Sequence, residues 1–233
     1  PLAGRPLLGW LLATAEKLEP EKIVVVTAPA DDNVRAVAAP HLTAIQDPPL
    51  GTGDAVKAGL KALGDFKGIV MVLCGDGPLY TEKTLKRLVH VVKGQGENGM
   101  AFLAMQPEDP TGYGRMLTDA NGYLARIVEE KDATDAERTI SLCWTGILAA
   151  QTDRFGDWLA QIDNKNAKGE YYLTDLASIA NKDNCPVLIA ESPIEETLGA
   201  NNKADLAQLE RKIQERLRER AMAEGVTLLD PET

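Results

Sequence analysis

This sequence predicts an α/β fold with a doubly wound, mostly parallel sheet, and three observations carry that expectation. Strand-like and helix-like stretches alternate through the first hundred residues, which is the written form of βαβ units. Residues 69–73, Ile-Val-Met-Val-Leu, are an unbroken apolar run, as in a strand buried on both faces of a parallel sheet. That run ends at Gly75-Asp76-Gly77-Pro78, so a carboxylate emerges where open α/β sheets hold ligands. With 233 residues, 44% hydrophobic and 26% charged, the chain can bury one such core, or one with a small appendage.

The elements follow in order. Leu7, Leu8, Leu11 and Leu12 recur at helical spacing, and Glu19-Pro20 closes that helix. Residues 23–27 are a β-branched strand, and Ala-Pro-Ala-Asp-Asp turns the chain into a short helix at 34–39. Residues 42–45 make a strand that runs into the loop 46–53, and 54–63 read as a helix with Thr52 as a candidate N-cap. After the 69–73 strand, a helix begins near Thr81 with Leu85, Leu88, Val89 and Val92 on one face. The rhythm then changes to strands at 100–105, 115–117 and 123–128, with Asn121-Gly122 as a type I′ hairpin signal, and a further short strand at 147–149. Helices follow around Phe155–Ile162 and at 174–180, the latter with Thr174 as a candidate cap. A strand at 187–190 precedes a long charged helix from Asn202 to about Ala223 with a narrow stripe of Leu206, Leu209, Ile213 and Leu217.

Charge and cysteine content exclude some classes of partner. A formal net charge of −10 argues against nucleic acid and against an anionic membrane surface, both of which need clustered Lys and Arg. Cys74, Cys143 and Cys185 are far apart and odd in number, without zinc or redox spacing, which fits a reducing cytoplasm. No apolar segment nears the roughly 20 residues that span a bilayer, and the opening residues lack a signal-peptide pattern. The chain enters a helix-like segment directly, as though it started inside a domain.

Several stretches carry candidate chemistry, each with a plainer structural explanation. Asp76 between glycines can hold a divalent cation bearing phosphates, and is also ordinary turn chemistry. Gly51-Thr52-Gly53 can offer backbone amides to a phosphate or a base edge, and is equally a common helix start. Gln46 brings a side-chain amide with a donor and an acceptor for a pyrimidine edge. Gly112-Tyr113-Gly114-Arg115 allows close backbone approach beside a cation, or is a bulge. Glu129, just past a strand end, can accept from sugar hydroxyls, although charge clusters there are normally solvated. The cluster Glu170-Tyr171-Tyr172-Leu173-Thr174-Asp175 can line a pocket, or cap and pack without a ligand. Asn201 becomes a metal candidate only with a partner such as Asp76.

Taken in order, GRPLL, IQDPPLGTGDAV, LCGDGPLY, GYGRM, VEEKDAT, WTGILA, NAKGEYYLTD and LGANNKADL resemble one family. It is the uridyltransferase domain of the bacterial bifunctional N-acetylglucosamine-1-phosphate uridyltransferase and glucosamine-1-phosphate acetyltransferase, matched from Pro1 to about Leu229. The resemblance implies a nucleotide-diphospho-sugar transferase fold and transfer of a uridylyl group from UTP to N-acetylglucosamine 1-phosphate, giving UDP-N-acetylglucosamine and pyrophosphate for cell-envelope precursors. By this similarity Asp76 and Asn201 hold Mg²⁺, Gln46, Gly51 and Thr52 recognise uracil, and Cys74 and Gly75 lie on the backbone beside the nucleotide. Gly114, Glu129, Tyr172 and Thr174 fall at the acetamido sugar.

Three departures qualify the match. The family's opening strand and its loop of glycine, arginine and lysine, which grip the triphosphate, would precede Pro1, so impaired transferase activity is expected of this chain. Trp144 stands where the family usually carries an Asn that touches the sugar. The domains expected are the nucleotidyltransferase at 1–201, the helix at 202–224 and, at 225–233, only about the first turn of the family's left-handed β-helix domain, so acetyl transfer is expected to be absent and a trimer is less expected. That second domain assembles trimers in the family.

Overall fold

The structure, a computed structural model, describes residues 1–200 and 202–231. The first half alternates as expected: α1 (Leu7–Glu16), β1 (Val24–Thr27), α2 (Asp32–Ala38), β2 (Leu42–Ile45), α3 (Thr52–Leu63), β3 (Ile69–Val72) and α4 (Glu82–Lys93). The second half contains β4 (Met100–Met105), β5 (Arg115–Thr118), β6 (Leu124–Val128), α5 (Asp135–Arg138), β7 (Cys143–Gln151), α6 (Thr152–Ala160), α7 (Leu176–Lys182), β8 (Leu188–Glu191) and α8 (Lys203–Ala223). Local chemistry sets several of these starts. Asp31 caps α2, Thr81 caps α4, a Thr134–Glu137 capping box opens α5, and Asn202 caps α8.

The class is α/β, and its pairing is mixed. β1–β2 and β4–β8 are parallel, whereas β7 runs antiparallel to β3, β4 and β5, and β5 pairs antiparallel with β6. The short strand expected at 147–149 is in fact nine residues long and central to the sheet. Gly146, with φ +87, interrupts its apolar pattern and hides its length in the sequence.

The strand buried on both faces is β4 rather than β3. Every residue of β4 is buried, with Phe102 and Ala104 facing one core and Ala101 and Leu103 the other. Helices α6 and α7 cover the first core, and α4 covers the second. Residues of β3, by contrast, are all half-exposed despite their apolar character.

The reason is an opening in the sheet. β1 and β2 form a two-stranded sheet of their own, while β3 pairs only with β7 among the described residues. A largely apolar trench of about 950 Å³ lies between them, walled by Val24–Val26 of β1, Ile69–Val72 of β3, leucines of α1 and the Val56, Leu60 face of α3. One edge of β1 and one edge of β3 therefore lack strand partners among the described residues.

Two turn expectations are corrected. Thr52 is the first residue of α3 and Gly51 its N-cap, because the Thr52 hydroxyl accepts from Leu173 N–H at 3.0 Å instead. At Asn121-Gly122 only the glycine takes a positive φ, so the turn is not type I′. Asp119 Oδ1 accepts from the N–H groups of Asn121 and Tyr123, and the register shifts between Leu117 and Thr118, giving a bulged turn.

Candidate active site

One end of the trench opens where β3 finishes and α3 begins. Thr52, Cys74, Gly75, Gly114, Glu129 and Trp144 line it, together with Gly112, Tyr113, Gly146 and Leu173. The structure thus brings Thr52, Cys74, Gly75, Gly114 and Glu129 to one cleft. Gln46, Gly51, Asp76, Tyr172 and Thr174 lie outside that lining; Gly51, Asp76 and Tyr172 adjoin lining residues in sequence, Thr174 bonds to Glu129, and Gln46 reaches the lining only through Gly51.

The Gln46–Gly51 corner is built by contacts within the chain. The Gln46 backbone N–H donates to the Thr27 carbonyl at 3.0 Å, continuing the β1–β2 pairing by one residue. Its side chain donates to the Gly51 carbonyl and to Asp54. Gly51, with φ +119, and Gly53 face the Tyr171 backbone, where Tyr171 N–H donates to the Leu50 carbonyl and Gly53 N–H to the Tyr171 carbonyl, both at 2.8 Å. A Cβ at Gly51 would stand 2.7 Å from the Tyr171 carbonyl oxygen. The glycines are therefore required by chain-on-chain packing, and the Gly53 amide is not free for a ligand.

At the end of β3, the Cys74 thiol donates to the Gly146 carbonyl at 3.4 Å. Burial, aided by the Asp76 charge, pushes this thiol up to about 12, so it stays protonated and is no nucleophile. Asp76 itself is exposed at the mouth, with no hydrogen bond or ion pair of its carboxylate among the described residues. Asn201, its expected partner, lies outside the described residues. The segment leading to it does approach, since a Cβ on Gly199 would stand 3.8 Å from Asp76 Oδ2. Among the described residues no group of three or more His, Cys, Asp or Glu side chains could hold a metal. One exposed carboxylate with no partner of its own among the described residues suits Mg²⁺, which keeps most of its octahedron for phosphate and water oxygens.

On the opposite wall, Glu129 is pushed up from the ordinary carboxylate range, chiefly by burial, with Asp132 and Asp175 adding to the shift and Lys168 and Thr174 opposing it. Thr174 is buried in a short 3-10 turn (Leu173–Asp175) and does not cap α7. Its hydroxyl donates to Glu129 Oε1 at 3.4 Å. The Tyr172 hydroxyl is buried without a partner among the described residues, and burial raises it to about 12. A Cβ at Gly114 would press on Ile127 and lie 3.8 Å from the Glu129 carboxylate, so this glycine keeps the wall thin.

Arg115 does not supply the cation that its position in the sequence suggests. It is 1% exposed, bonded to Glu130 at 2.8 Å and to the Tyr113 carbonyl, while Glu130 also accepts from Gly112 N–H. Arg115 and Glu130 thereby shape the 112–114 loop from behind. Sequence reasoning missed Glu130, Asp54 and Gly146, whose roles depend on contacts no local pattern reveals. Trp144 donates its indole N–H to the Ile147 carbonyl at 2.9 Å and tilts against Phe102, presenting ring surface rather than a donor. No Lys or Arg lines this end of the cleft among the described residues.

An α/β sheet with a cleft at its strand ends, bordered by glycine loops and by the Asp76 and Glu129 carboxylates, suits a protein of the nucleotidyltransferase class. Residues 1–140 match the MobA-like NTP transferase domain, and the chain belongs to that family. It is also similar to proteins named bifunctional protein GlmU. The identity is 43% over all of this chain and 52% of the relative from Paramagnetospirillum magneticum, and 43% over all of this chain and 51% of that from Maricaulis maris. The relative from Burkholderia multivorans is 45% identical over 99% of this chain and 51% of its own length. These matches bear out the resemblance read from the motifs, and the chain spans about half the length of the curated relatives it matches.

Proposed function

We propose that this chain is the nucleotidyltransferase part of a sugar-activating enzyme, transferring a uridylyl group from UTP to N-acetylglucosamine 1-phosphate. The products are UDP-N-acetylglucosamine and pyrophosphate, made in the cytoplasm for cell-envelope precursors. The observation that carries the reading is the meeting of Thr52, Cys74, Gly75, Gly114 and Glu129 in one cleft at the carboxyl end of β3 and the start of α3.

In this mechanism the chain positions rather than reacts. A phosphate oxygen of the sugar phosphate attacks the α-phosphorus, and the bond from that phosphorus to the bridging oxygen breaks as pyrophosphate leaves. Cys74, the only thiol that lines the cleft among the described residues, takes no covalent part because burial keeps it protonated. Gln46 and the Gly51–Thr52 corner orient the base, and Glu129, held by Thr174, accepts from sugar hydroxyls. Asp76 and Asn201 would hold Mg²⁺, which when bound neutralises phosphate charge.

Slow turnover is expected of this chain, because among the described residues no cation lines the phosphate end and the sheet beside it is open. The test is pyrophosphate release from UTP and N-acetylglucosamine 1-phosphate with Mg²⁺, run beside a version with the family's loop of glycine, arginine and lysine placed before Pro1. The extended version is expected to be faster, and equal rates would remove the role given to that loop. Absence of both turnover and UDP-N-acetylglucosamine binding in the two versions would overturn the whole reading. Binding without turnover in either version would instead favour a non-catalytic UDP-sugar-binding module.

A second reading, transfer to a different sugar phosphate, is favoured by Trp144, which meets the cleft with an aromatic face and no free donor. A panel of sugar 1-phosphates separates the two.

A further inference from the structure

The side-chain amide of Gln46 is fixed in one orientation by its neighbours. Nε2 donates to the Gly51 carbonyl at 2.9 Å and to Asp54 Oδ2 at 2.8 Å, which uses both of its N–H bonds. Turning the amide over would set Oε1 against a carbonyl oxygen and a carboxylate, three acceptors with no proton among them. Oε1 has no partner among the described residues. Asp54 is itself held in place, since it sits in the first turn of α3, and the Gly51–Gly53 backbone just before it is fastened to Tyr171.

We infer that Asp54 is a positioning residue for base selection. By holding Gln46 Nε2, it leaves that side chain able only to accept, so the site takes a base whose edge offers a ring N–H, as the imide of uracil does. Cytosine, whose N3 is an acceptor, meets Oε1 with like polarity in the same register. The inference rests on the reading above that the base docks at Gln46, and it adds a cause for the choice of base that lies one residue removed from the ligand.

An acidic residue in a first helical turn also favours the helix dipole, so the test needs a readout that this structural role would not move. That readout is the ratio of UMP to CMP affinities, measured by calorimetry on this chain, with thermal melting as the check on folding. The unsubstituted chain is expected to prefer UMP. Asp54→Ala is expected to cut the preference roughly tenfold, the scale of one hydrogen bond to a charged group. Asp54→Asn, which keeps an oxygen within reach of Nε2, is expected to restore most of it. Asp54→Ser preserves a residue suited to a helix start but is too short to reach Nε2, and it is expected to behave like the alanine variant.

A loss of helix stability alone would weaken both nucleotides together and leave the ratio unchanged, and an unchanged ratio in the alanine or serine variant overturns the inference. If the unsubstituted chain binds UMP yet shows no preference, Gln46 does not select the base and the inference fails alone. If it binds neither nucleotide, the base-site reading fails and takes the inference with it.

Discussion

Replacing Gly51 with alanine tests whether the base corner of the cleft is built by the packing described for it. The new Cβ would stand 2.7 Å from the Tyr171 carbonyl oxygen and 2.8 Å from its nitrogen, atoms of the backbone that cannot rotate away. The φ of +119 adds strain of about 1–3 kcal/mol for a residue with a side chain. Relief of the contact means moving Tyr171, which breaks its bonds to Leu50 and Gly53, each worth about 0.5–1.5 kcal/mol net. The sum is about 2–6 kcal/mol, set against a typical total stability of about 5–15 kcal/mol. Urea unfolding reads this as a fall in midpoint at constant m. Gly112→Ala is the control, because Gly112 has φ +87 but nothing within 4 Å of its would-be Cβ, so it carries strain of about 1–2 kcal/mol and no contact cost. If Gly51→Ala is no more destabilising than Gly112→Ala, the packing argument for the loop is wrong.

Three further outcomes are expected. Because burial raises the Glu129 carboxyl, UDP-N-acetylglucosamine binding should tighten as pH rises through its shifted value, and Glu129→Gln should flatten that profile in calorimetry. The sign for stability is the reverse: the folded state keeps this proton longer than the unfolded chain, so Glu129's contribution falls as pH rises from the unfolded to the folded pKa, which urea titrations across that window would show. The open trench should bind the dye ANS in the native state, and a native chain without enhanced ANS fluorescence would mean that the trench is closed in solution. Glu130→Ala should destabilise more than Arg115→Met, since the first strands a buried guanidinium and the second removes the charge that needs a partner. A reversed order in thermal melting would show that the pair is not what shapes the 112–114 loop.

Much of this architecture was legible in the residues, and what escaped has physical causes. Helix starts were readable where a short polar side chain reaches its own helix, as at Thr81 and Asn202. They were misread where that side chain bonds across the fold, as Thr52 does with Leu173 and Thr174 with Glu129. An apolar run says that a strand avoids water and not which neighbours exclude it, so the role expected of β3 falls to β4. Candidate residues carried by a motif, such as Cys74, Gly75 and Gly114, line one cleft. Residues that act through another side chain, Asp54 on Gln46 and Glu130 on Arg115, have no local signature to read.

The two ends of the cleft differ in what the chain itself supplies. Under the proposed function, at the base corner Gln46 is bonded to Gly51 and Asp54, and Tyr171 to Leu50 and Gly53, before any ligand arrives, so recognition there needs little reorganisation on binding. At the phosphate end the lining is a thiol held neutral and glycines, with the exposed Asp76 at the mouth, and the nearby Arg115 is already paired with Glu130. On that proposed function, binding depends on the first end, whereas stabilising the charge that builds on departing pyrophosphate depends on the second. Under the proposed function, affinity for a uridine nucleotide and the rate of uridylyl transfer are therefore separable in this chain. Substitutions at Asp54 should move the first through the choice of base, and cations added at the β3 end should move the second with little change in that choice.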